Sequence, residues 1–469
     1  MTDPCRDLKN SSISPAQRTL RYPLIIAALI GFAAIQFGFP LDPNAKAMAG
    51  LDPHQVRTGL AIFAFIGFLW LTEALPLTIT ALLVPLLACC SGLMEVKPSL
   101  VGFADPLIFL FLGGFAIAAA LSAQGLDQWL AHRILHLGKG SFIKVSYLLF
   151  GATALISMWV SNTATTAMML PLALGILRRH PSPRNSVYLL LGTAYSANVG
   201  GIGTIVGSPP NGIAAAQLGI GFTEWMRFGL PAMVALMPLM IIILRLICRP
   251  EAIAIPPVRE PDFRFTRDRK LTLGIFAATA ACWIASASLA KAIGISGSFD
   301  TLIALAGIVA LTVTRVVDWK QIERNTDWGV LLLFGGGITL STILGESGTS
   351  EFMARVFAAF TADWSPLAVT GATVLFIIFL SELASNTALA ALMVPLFFTI
   401  AVELGMTPAS LVLPLTIAAS CSFMMPVGTP PNALAFATGE VPQRQMLRVG
   451  LVLNLAFTAA LVLLSKLLF

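Results

Sequence analysis

Two short polar motifs occur twice in this chain, and both use residue types that hold ions without being charged. Ser161-Asn162-Thr163-Ala164 recurs as Ser385-Asn386-Thr387-Ala388, and Val206-Gly207-Ser208-Pro209-Pro210-Asn211 recurs as Val427-Gly428-Thr429-Pro430-Pro431-Asn432. The match continues through Ala167/Ala391, Met169/Met393, Pro171/Pro395 and Leu172/Leu396, and Gly113-Gly114 recurs as Gly335-Gly336, all at an offset of about 222 residues. Three matches in order at nearly one offset mark an internal repeat. Ser and Asn are favoured helix N-caps, so Asn162 or Thr163 is expected to cap a helix toward Leu177, and Asn386 or Thr387 one toward Ile400. Proline breaks a helix interior but is favoured at a first position, so Ser208 and Thr429 read as N-caps of fresh half-helices. Four converging N-termini, with free N–H groups and positive partial charge, suit an anion. Unwound carbonyls together with Ser and Asn oxygens suit a hard monovalent cation such as Na+. Small polar residues also serve helix packing in membranes, but packing does not require the same motifs in both halves.

The elements that must position these motifs are membrane spans. The chain has 469 residues, 57% hydrophobic and only 11% charged, with a mean hydropathy of +0.85. A soluble domain averages roughly 25% charged residues, so a soluble, disordered or disulfide-scaffold chain is excluded. A span needs about 20 largely apolar residues. Apolar runs lie at 24–39, 58–91, 106–124, 145–177, 186–216, 228–244, 271–290, 301–314, 328–344, 366–402, 411–439 and 449–465. The run 58–91 holds two helices with a break near Glu73-Ala74-Leu75-Pro76. The runs 145–177 and 366–402 are too long for one straight span, and each has Ser-Asn-Thr at its middle. Their halves, at about 14–19 residues, fit re-entrant hairpins better than two full crossings.

The expected fold is therefore an all-α integral membrane protein with 11 transmembrane helices plus two re-entrant hairpins. A cytoplasmic N-terminus puts 22 of the 29 Lys and Arg residues inside and six outside, with Lys466 in the last turn, as the positive-inside rule requires. Orientation thus accounts for the net charge of +6, and no nucleic acid is expected as a partner. Five crossings separate the start of the span at 106 from that of its partner at 328. The number is odd, so the two repeats are inverted. Inverted repeats with interrupted helices point to a transporter whose site lies between the repeats. The expected organisation is a cytoplasmic tail at 1–23, a first span and outer loop at 24–57, repeat 1 at 58–248, a basic cytoplasmic linker at 249–270 and repeat 2 at 271–469. Residues before Pro23 show no signal-peptide apolar core.

Charge is nearly absent from the interior, where only Glu73 and Glu382 interrupt the apolar runs, and no Lys, Arg or His lies in 145–177, 186–216, 366–402 or 411–439. A di-anion cannot enter without cations nearby, so an anionic substrate must bring co-bound ions. That points to cation-coupled symport. Glu382, four residues before Asn386, has two open readings: it tunes a cation site or carries a proton, or it pairs with a loop or water. Glu73 reads as part of a helix break. His54, His132, His136 and His180 fall in loops, which disfavours an intramembrane enzyme. The six cysteines, Cys5, Cys89, Cys90, Cys248, Cys282 and Cys421, show no metal spacing, and those inside apolar runs act as small hydrophobes. No organic cofactor is expected. Closed hairpin tips disfavour a channel.

The paired SNT and PPN elements resemble the divalent anion/sodium symporter family, and most of all its bacterial sodium-coupled dicarboxylate carriers of the INDY type, over essentially the whole chain. The resemblance implies that Asn162, Thr163, Asn386 and Thr387 bind substrate, with Ser208 and Thr429 as an asymmetric pair bearing on selectivity. It implies a first sodium site at Ser157, Ser161, Asn162 and Gly207 and a second at Ser381, Ala384, Asn386 and Gly428. It also implies a homodimer in the cytoplasmic (inner) membrane, with a fixed scaffold and a moving, elevator-type transport domain. Amphipathic segments 126–137 and 350–360 precede the hairpins; the first places Leu126, Trp129, Leu130, Ile134 and Leu137 on one stripe and reads as an interfacial arm or as a surface helix packed on its own subunit. The substrate is expected to be a C4-dicarboxylate such as succinate, malate or fumarate, moved with Na+. A dicarboxylate exchanger or a sulfate or tricarboxylate carrier on the same fold is the alternative.

Overall fold

A computed structural model describes residues 15–43, 45–138, 140–178, 182–254, 263–295 and 297–468. Of the expected tail, residues 1–14 lie outside the described residues, as do 255–262 of the linker and His180. Eleven helices cover the first half. They are α1 Pro15–Gly38, α2 Pro53–Thr72, α3 Leu77–Cys90, α4 Val96–Val101, α5 Pro106–Ala123, α6 Leu126–His136, α7 Phe142–Ser157, α8 Asn162–Leu177, α9 Pro183–Gly200, α10 Pro209–Leu218 and α11 Phe222–Cys248. Eleven more cover the second. They are α12 Arg267–Ile284, α13 Ser286–Ile293, α14 Phe299–Val313, α15 Trp319–Asn325, α16 Trp328–Glu346, α17 Thr349–Phe360, α18 Pro366–Ser381, α19 Asn386–Glu403, α20 Pro408–Ala419, α21 Pro430–Ala437 and α22 Gln443–Leu468.

The molecule is an all-α membrane protein. Among the described residues, six helices are long and apolar enough to cross a bilayer, and seven if the α12–α13 pair, bent by 77°, is one span. The other expected crossings fall on shorter apolar helices, including α3, α14 and α20. The arms α7, α8 and α18 have 16 residues each, shorter than a span, whereas α19 with 18 is long and apolar enough for one. Glu73 ends α2 as a left-handed C-cap (φ 48°), exposed to solvent, so it belongs to the break.

Two helices occupy the centre. In α9 every residue from Asn185 to Gly200 is buried, and in α20 every residue from Leu411 to Ala419. Around them the halves interlock: α10 packs on α19 and α20 of repeat 2, and α21 packs on α8 and α9 of repeat 1. The long α11 and α22 pack together and on α9 and α20, with much of their apolar surface facing outward.

The two arms are each held by the segment that precedes the first helix of the other repeat. On α6, Trp129 stacks on Phe263 at 5.5 Å and meets Phe265 edge-on at 5.1 Å, while Arg269 lies 4.0 Å over Phe263. Arg269 Nε also donates to Gln124 O at 3.1 Å. On α17, Arg355 donates to Ala49 O at 2.7 Å and Thr349 to Val56 O at 3.2 Å. The Trp129 stripe therefore packs on the protein's own linker. His132 and His136 lie on α6 and His54 in the first turn of α2, not in loops as the sequence suggested; Asp52 caps α2 by accepting from His54 N at 2.8 Å, and the amphipathic α6 runs through His136.

Candidate functional site

The tips of the two hairpins start new helices, as expected, but a different residue caps each. Ser161 is the N-cap of α8, with φ −54° and ψ 143°, and its hydroxyl accepts from Ala164 N at 3.3 Å. Ser385 takes the same position on α19 without a side-chain cap bond. Asn162 and Asn386 are thus the first helical residues, and Thr163 and Thr387 the second. This frees both Asn amides from capping and turns them toward the broken helices. Thr163 is exposed and Thr387 half-buried.

Ser208 and Thr429 are the N-caps of α10 and α21, each followed by two prolines. Thr429 accepts from Asn432 N at 3.3 Å, whereas Ser208 makes no side-chain cap bond. Both are buried. The interruptions begin earlier than the prolines suggest. α9 stops at Gly200 and α20 at Ala419, so residues 201–208 and 420–429 are non-α-helical. Gly200, Gly201 and Gly203 favour the break in the first, and Pro426 in the second.

At the first tip, Ser157 gives its one hydroxyl proton to Ala197 O at 2.8 Å. The group facing Ser157 Oγ at 2.7 Å is therefore the Asn162 amide nitrogen, which also reaches Ala197 O at 3.1 Å and Gly207 O at 3.3 Å. Of the first sodium set, Ser157, Asn162 and Gly207 are brought together, while the Ser161 hydroxyl faces its own helix. Only glycine fits here. A β-carbon on Gly201 would sit 2.5 Å from the Asn162 amide, and one on Gly207 2.5 Å from Gly201 O.

At the second tip, Ser422 Oγ lies 2.7 Å from Ser381 Oγ and 3.3 Å from Asn386 Oδ1. A β-carbon on Gly428 would be 3.1 Å from Ser422 Cβ. Ser381, Asn386 and Gly428 are thus joined through Ser422, a residue the sequence reading missed. Ala384 is buried beside them on the chain and offers only its backbone.

The second missed pair is Asn211 and Asn432, the last residues of the PPN motifs. Asn211 Nδ2 donates to Gly201 O at 2.8 Å and Thr204 O at 2.7 Å. Asn432 Nδ2 donates to Ser422 O at 2.9 Å and Met425 O at 3.1 Å. Each clamps its unwound segment onto the start of the new helix. Helix α9 then ties the halves together: Asn198 Nδ2 donates to Thr429 Oγ1 at 3.1 Å and to Asn432 Oδ1 at 3.4 Å, and Tyr195 Oη donates to Phe423 O at 2.6 Å. Polar contacts therefore run from Asn162 to Ala197 O on α9, and from its chain neighbour Asn198 through Asn432 to Ser422 and Asn386.

Glu382 is buried, at 3% exposure. Its carboxylate accepts from Phe423 N (2.7 Å), Met424 N (2.8 Å), Met425 N (2.9 Å) and Asn454 Nδ2 (2.8 Å). Four N–H donors suit an acceptor-only carboxylate, so Glu382 pairs with the loop at 423–425. Among the described residues no cluster of three or more His, Cys, Asp or Glu side chains could hold a metal. The arrangement offers neutral oxygens, helix N-termini and one buried carboxylate, which suits reversible binding of ions and not bond-making chemistry.

Residues 67–405 match the family model of citrate transporters. An uncharacterized transporter of Haemophilus influenzae is 48% identical over 92% of this chain and 94% of its own. The sodium-dependent dicarboxylate transporter SdcS of Staphylococcus saprophyticus is 31% identical over 86% of this chain and 84% of its own. The YdaH transporter of Alcanivorax borkumensis shares the fold, with a TM-score of 0.50 over 78% of this chain and 86% of that one, at 15% identity.

Proposed function

The chain belongs to the divalent anion/sodium symporter family of transport proteins, and from that premise we propose that it moves C4-dicarboxylates such as succinate, malate and fumarate together with Na+ across the cytoplasmic membrane. The observation that supports this most is the polar cluster around Asn162 and Asn386, whose two sets meet across α9 at Ala197 and Asn198. It holds amide, hydroxyl and carbonyl groups in two matching sets, with no Lys, Arg or His in the four segments that form it. A dicarboxylate has two charges to satisfy, and the site has two tips. Asn162 and Thr163 hold one carboxylate, Asn386 and Thr387 the other, and Ser208 and Thr429 present half-helix N-termini to the same anion.

Without a basic side chain, the anion's charge must be met by co-bound cations. Ser157, Ser161, Asn162 and Gly207 form the first sodium site; Ser381, Ala384, Asn386 and Gly428 form the second. In this reading the hairpins are re-entrant, the repeats inverted, the N-terminus cytoplasmic, and the interlocked α7–α11 and α18–α22 move as an elevator against the remaining helices in a homodimer. The sodium-dependent dicarboxylate carrier at 31% identity supports the choice of ion and substrate.

The citrate-transporter family model favours one second reading, a tricarboxylate carrier on the same fold. Uptake of radiolabelled succinate into proteoliposomes, with and without an inward sodium gradient, tests the proposal. Succinate uptake driven by the gradient is expected. Uptake of citrate but not succinate selects the second reading, and full succinate uptake without sodium, in exchange for internal dicarboxylate, selects an exchanger.

A further inference from the structure

The two broken segments are clamped alike by Asn211 and Asn432 but are backed differently. In repeat 2 the backing group is the Glu382 carboxylate, which gathers the N–H groups of three successive residues, Phe423, Met424 and Met425. Peptides whose N–H groups point to one side direct their carbonyls to the other, so the carboxylate sets the direction of the Ser422, Phe423 and Met424 carbonyls, of which Asn432 Nδ2 takes the first and Tyr195 Oη the second. Its Oε2 also lies 3.0 Å from where a β-carbon on Gly428 would stand. In repeat 1 the residue three before the tip serine is Met158, where repeat 2 has Glu382. There the segment is held by neutral bonds: Thr204 Oγ1 donates to Met158 O at 2.5 Å, Gly207 N donates to Thr204 Oγ1 at 3.1 Å, and Trp225 Nε1 donates to Ile202 O at 3.0 Å.

We infer that Glu382 is the positioning residue of the repeat-2 cation site and makes the two sodium sites unequal, the repeat-2 site being the tighter and the first to load. The inference rests on the sodium-coupled reading above. A buried carboxylate with no cationic side chain in 366–402 or 411–439 is costly by itself. Four N–H donors satisfy its hydrogen bonds but do not neutralise its charge. A cation placed among Ser381, Asn386 and Gly428 does, through a medium that screens charge weakly. The repeat-1 site, backed by Met158, has no such charge and depends on its neutral oxygens and on the anion that arrives after the first cation. An ordered loading, cation at repeat 2 and then anion with the second cation, follows from this difference.

The test uses purified full-length protein. Sodium-induced thermal stabilisation is titrated against choline for wild type, Glu382→Gln and Glu382→Asp, and sodium half-saturation of succinate uptake is measured in proteoliposomes. Glu382→Gln should raise the half-saturating sodium at least about tenfold, while the KM for succinate at saturating sodium changes less than about twofold. Glu382→Asp, which keeps the charge, should lie between wild type and the Gln variant. Equal damage by Asp and Gln, or KM for succinate rising in step with sodium demand, would reduce Glu382 to a structural part and overturn the inference. Should the Gln variant not fold, Ser157→Ala and Ser381→Ala, which keep Glu382, decide the point. Ser381→Ala should remove the stabilisation seen at low sodium, Ser157→Ala should not, and the reverse order overturns the inference. A wild type that sodium does not stabilise and that takes up succinate without it removes the sodium-coupled reading, and this inference with it; a wild type that responds beside an unchanged Gln variant removes this inference alone.

Discussion

Asn211 and Asn432 make the same pair of bonds in the two halves, each donating its amide nitrogen to the two carbonyls that frame its unwound segment. Both are fully buried. They differ at the amide oxygen. Asn432 Oδ1 receives Asn198 Nδ2, while Asn211 Oδ1 has no partner among the described residues. Replacing either amide by leucine leaves two buried carbonyls without donors, at about 1–3 kcal/mol for each unsatisfied group. Asn432→Leu should lower the thermal midpoint in detergent more than Asn211→Leu, because it also takes away one of the two acceptors of Asn198 Nδ2. Equal midpoints for both variants and wild type would mean that the amides do not hold the segments.

The glycines of the first interruption act through space, not through flexibility. Gly201 has no room for a β-carbon, which would sit 2.5 Å from the Asn162 amide and 2.9 Å from Gly207 O. A β-carbon on Gly151, in the middle of α7, would meet nothing within 4 Å among the described residues beyond its own helix backbone. Gly201→Ala should cost about 1–3 kcal/mol by overpacking and depress sodium-driven uptake, while Gly151→Ala changes neither. Uptake by Gly201→Ala at the wild-type rate would show that the Asn162 position is not critical.

The sequence was most legible where a motif was duplicated. Asn162, Ser208 and Thr429 could be placed at helix starts because proline spacing and cap preference are local rules. The sequence points to Asn162 or Thr163 as the cap, and Ser161 takes that position instead, since each has a suitable oxygen and only the backbone angles decide. Ser422, Asn198 and the partners of Glu382 were hidden for a different reason. Their partners are backbone groups or side chains far along the chain, as in Asn198 to Thr429 and Glu382 to Phe423 N, and a backbone N–H carries no residue identity. One trace did exist. Gly229 and Gly450 stand at matching places in the two repeats, and a β-carbon on them would lie 2.5 Å from Ile202 O and 2.3 Å from Phe423 O. Read as a pair, they mark α11 and α22 as the helices that back the two interruptions.

Sidedness can be checked at the hairpin ends. The positive-inside distribution places Lys144 and Arg178, which flank the first hairpin, in the cytoplasm, and repeat parity places Trp364 and Glu403 outside. Single cysteines at these positions should react with a membrane-impermeant reagent from one side for each pair. Labelling of 403 and 364 from opposite sides would make the second hairpin, whose α19 arm is long enough to cross, a true crossing.

Ser157 tests the first cation site. It is fully buried, faces the Asn162 amide at 2.7 Å and donates to Ala197 O at 2.8 Å. Ser157→Ala removes one oxygen from the site without disturbing the Ser161 cap. It should raise the sodium needed for half-maximal uptake and lower the cooperativity of the sodium curve. Ser161→Ala should weaken sodium dependence and also lose the cap bond to Ala164 N, so its thermal midpoint falls by the larger amount. An unchanged sodium curve in Ser157→Ala would remove this residue from the coupling machinery.

The substrate assignment stands or falls on the two threonines. Each tip pairs an Asn amide with a Thr hydroxyl at the second helical residue, and carboxylates are acceptors only, so each hydroxyl has a donor role to fill. A hydrogen bond to a charged group contributes about 1.5–3 kcal/mol, which corresponds to roughly 10- to 150-fold in binding. Thr163→Val and Thr387→Val keep the side-chain volume nearly constant and delete only that donor. Both should raise the apparent KM for succinate, with sodium half-saturation little changed and the protein still folded. The exposed Thr163 should show the smaller rise and the half-buried Thr387 the larger, because water replaces a lost donor more easily at an open tip. Butyrate, with one carboxylate, should compete poorly, since it leaves one tip unpaired. Unchanged KM in both variants, or butyrate competing as well as succinate, would show that the two tips do not share one dicarboxylate between them.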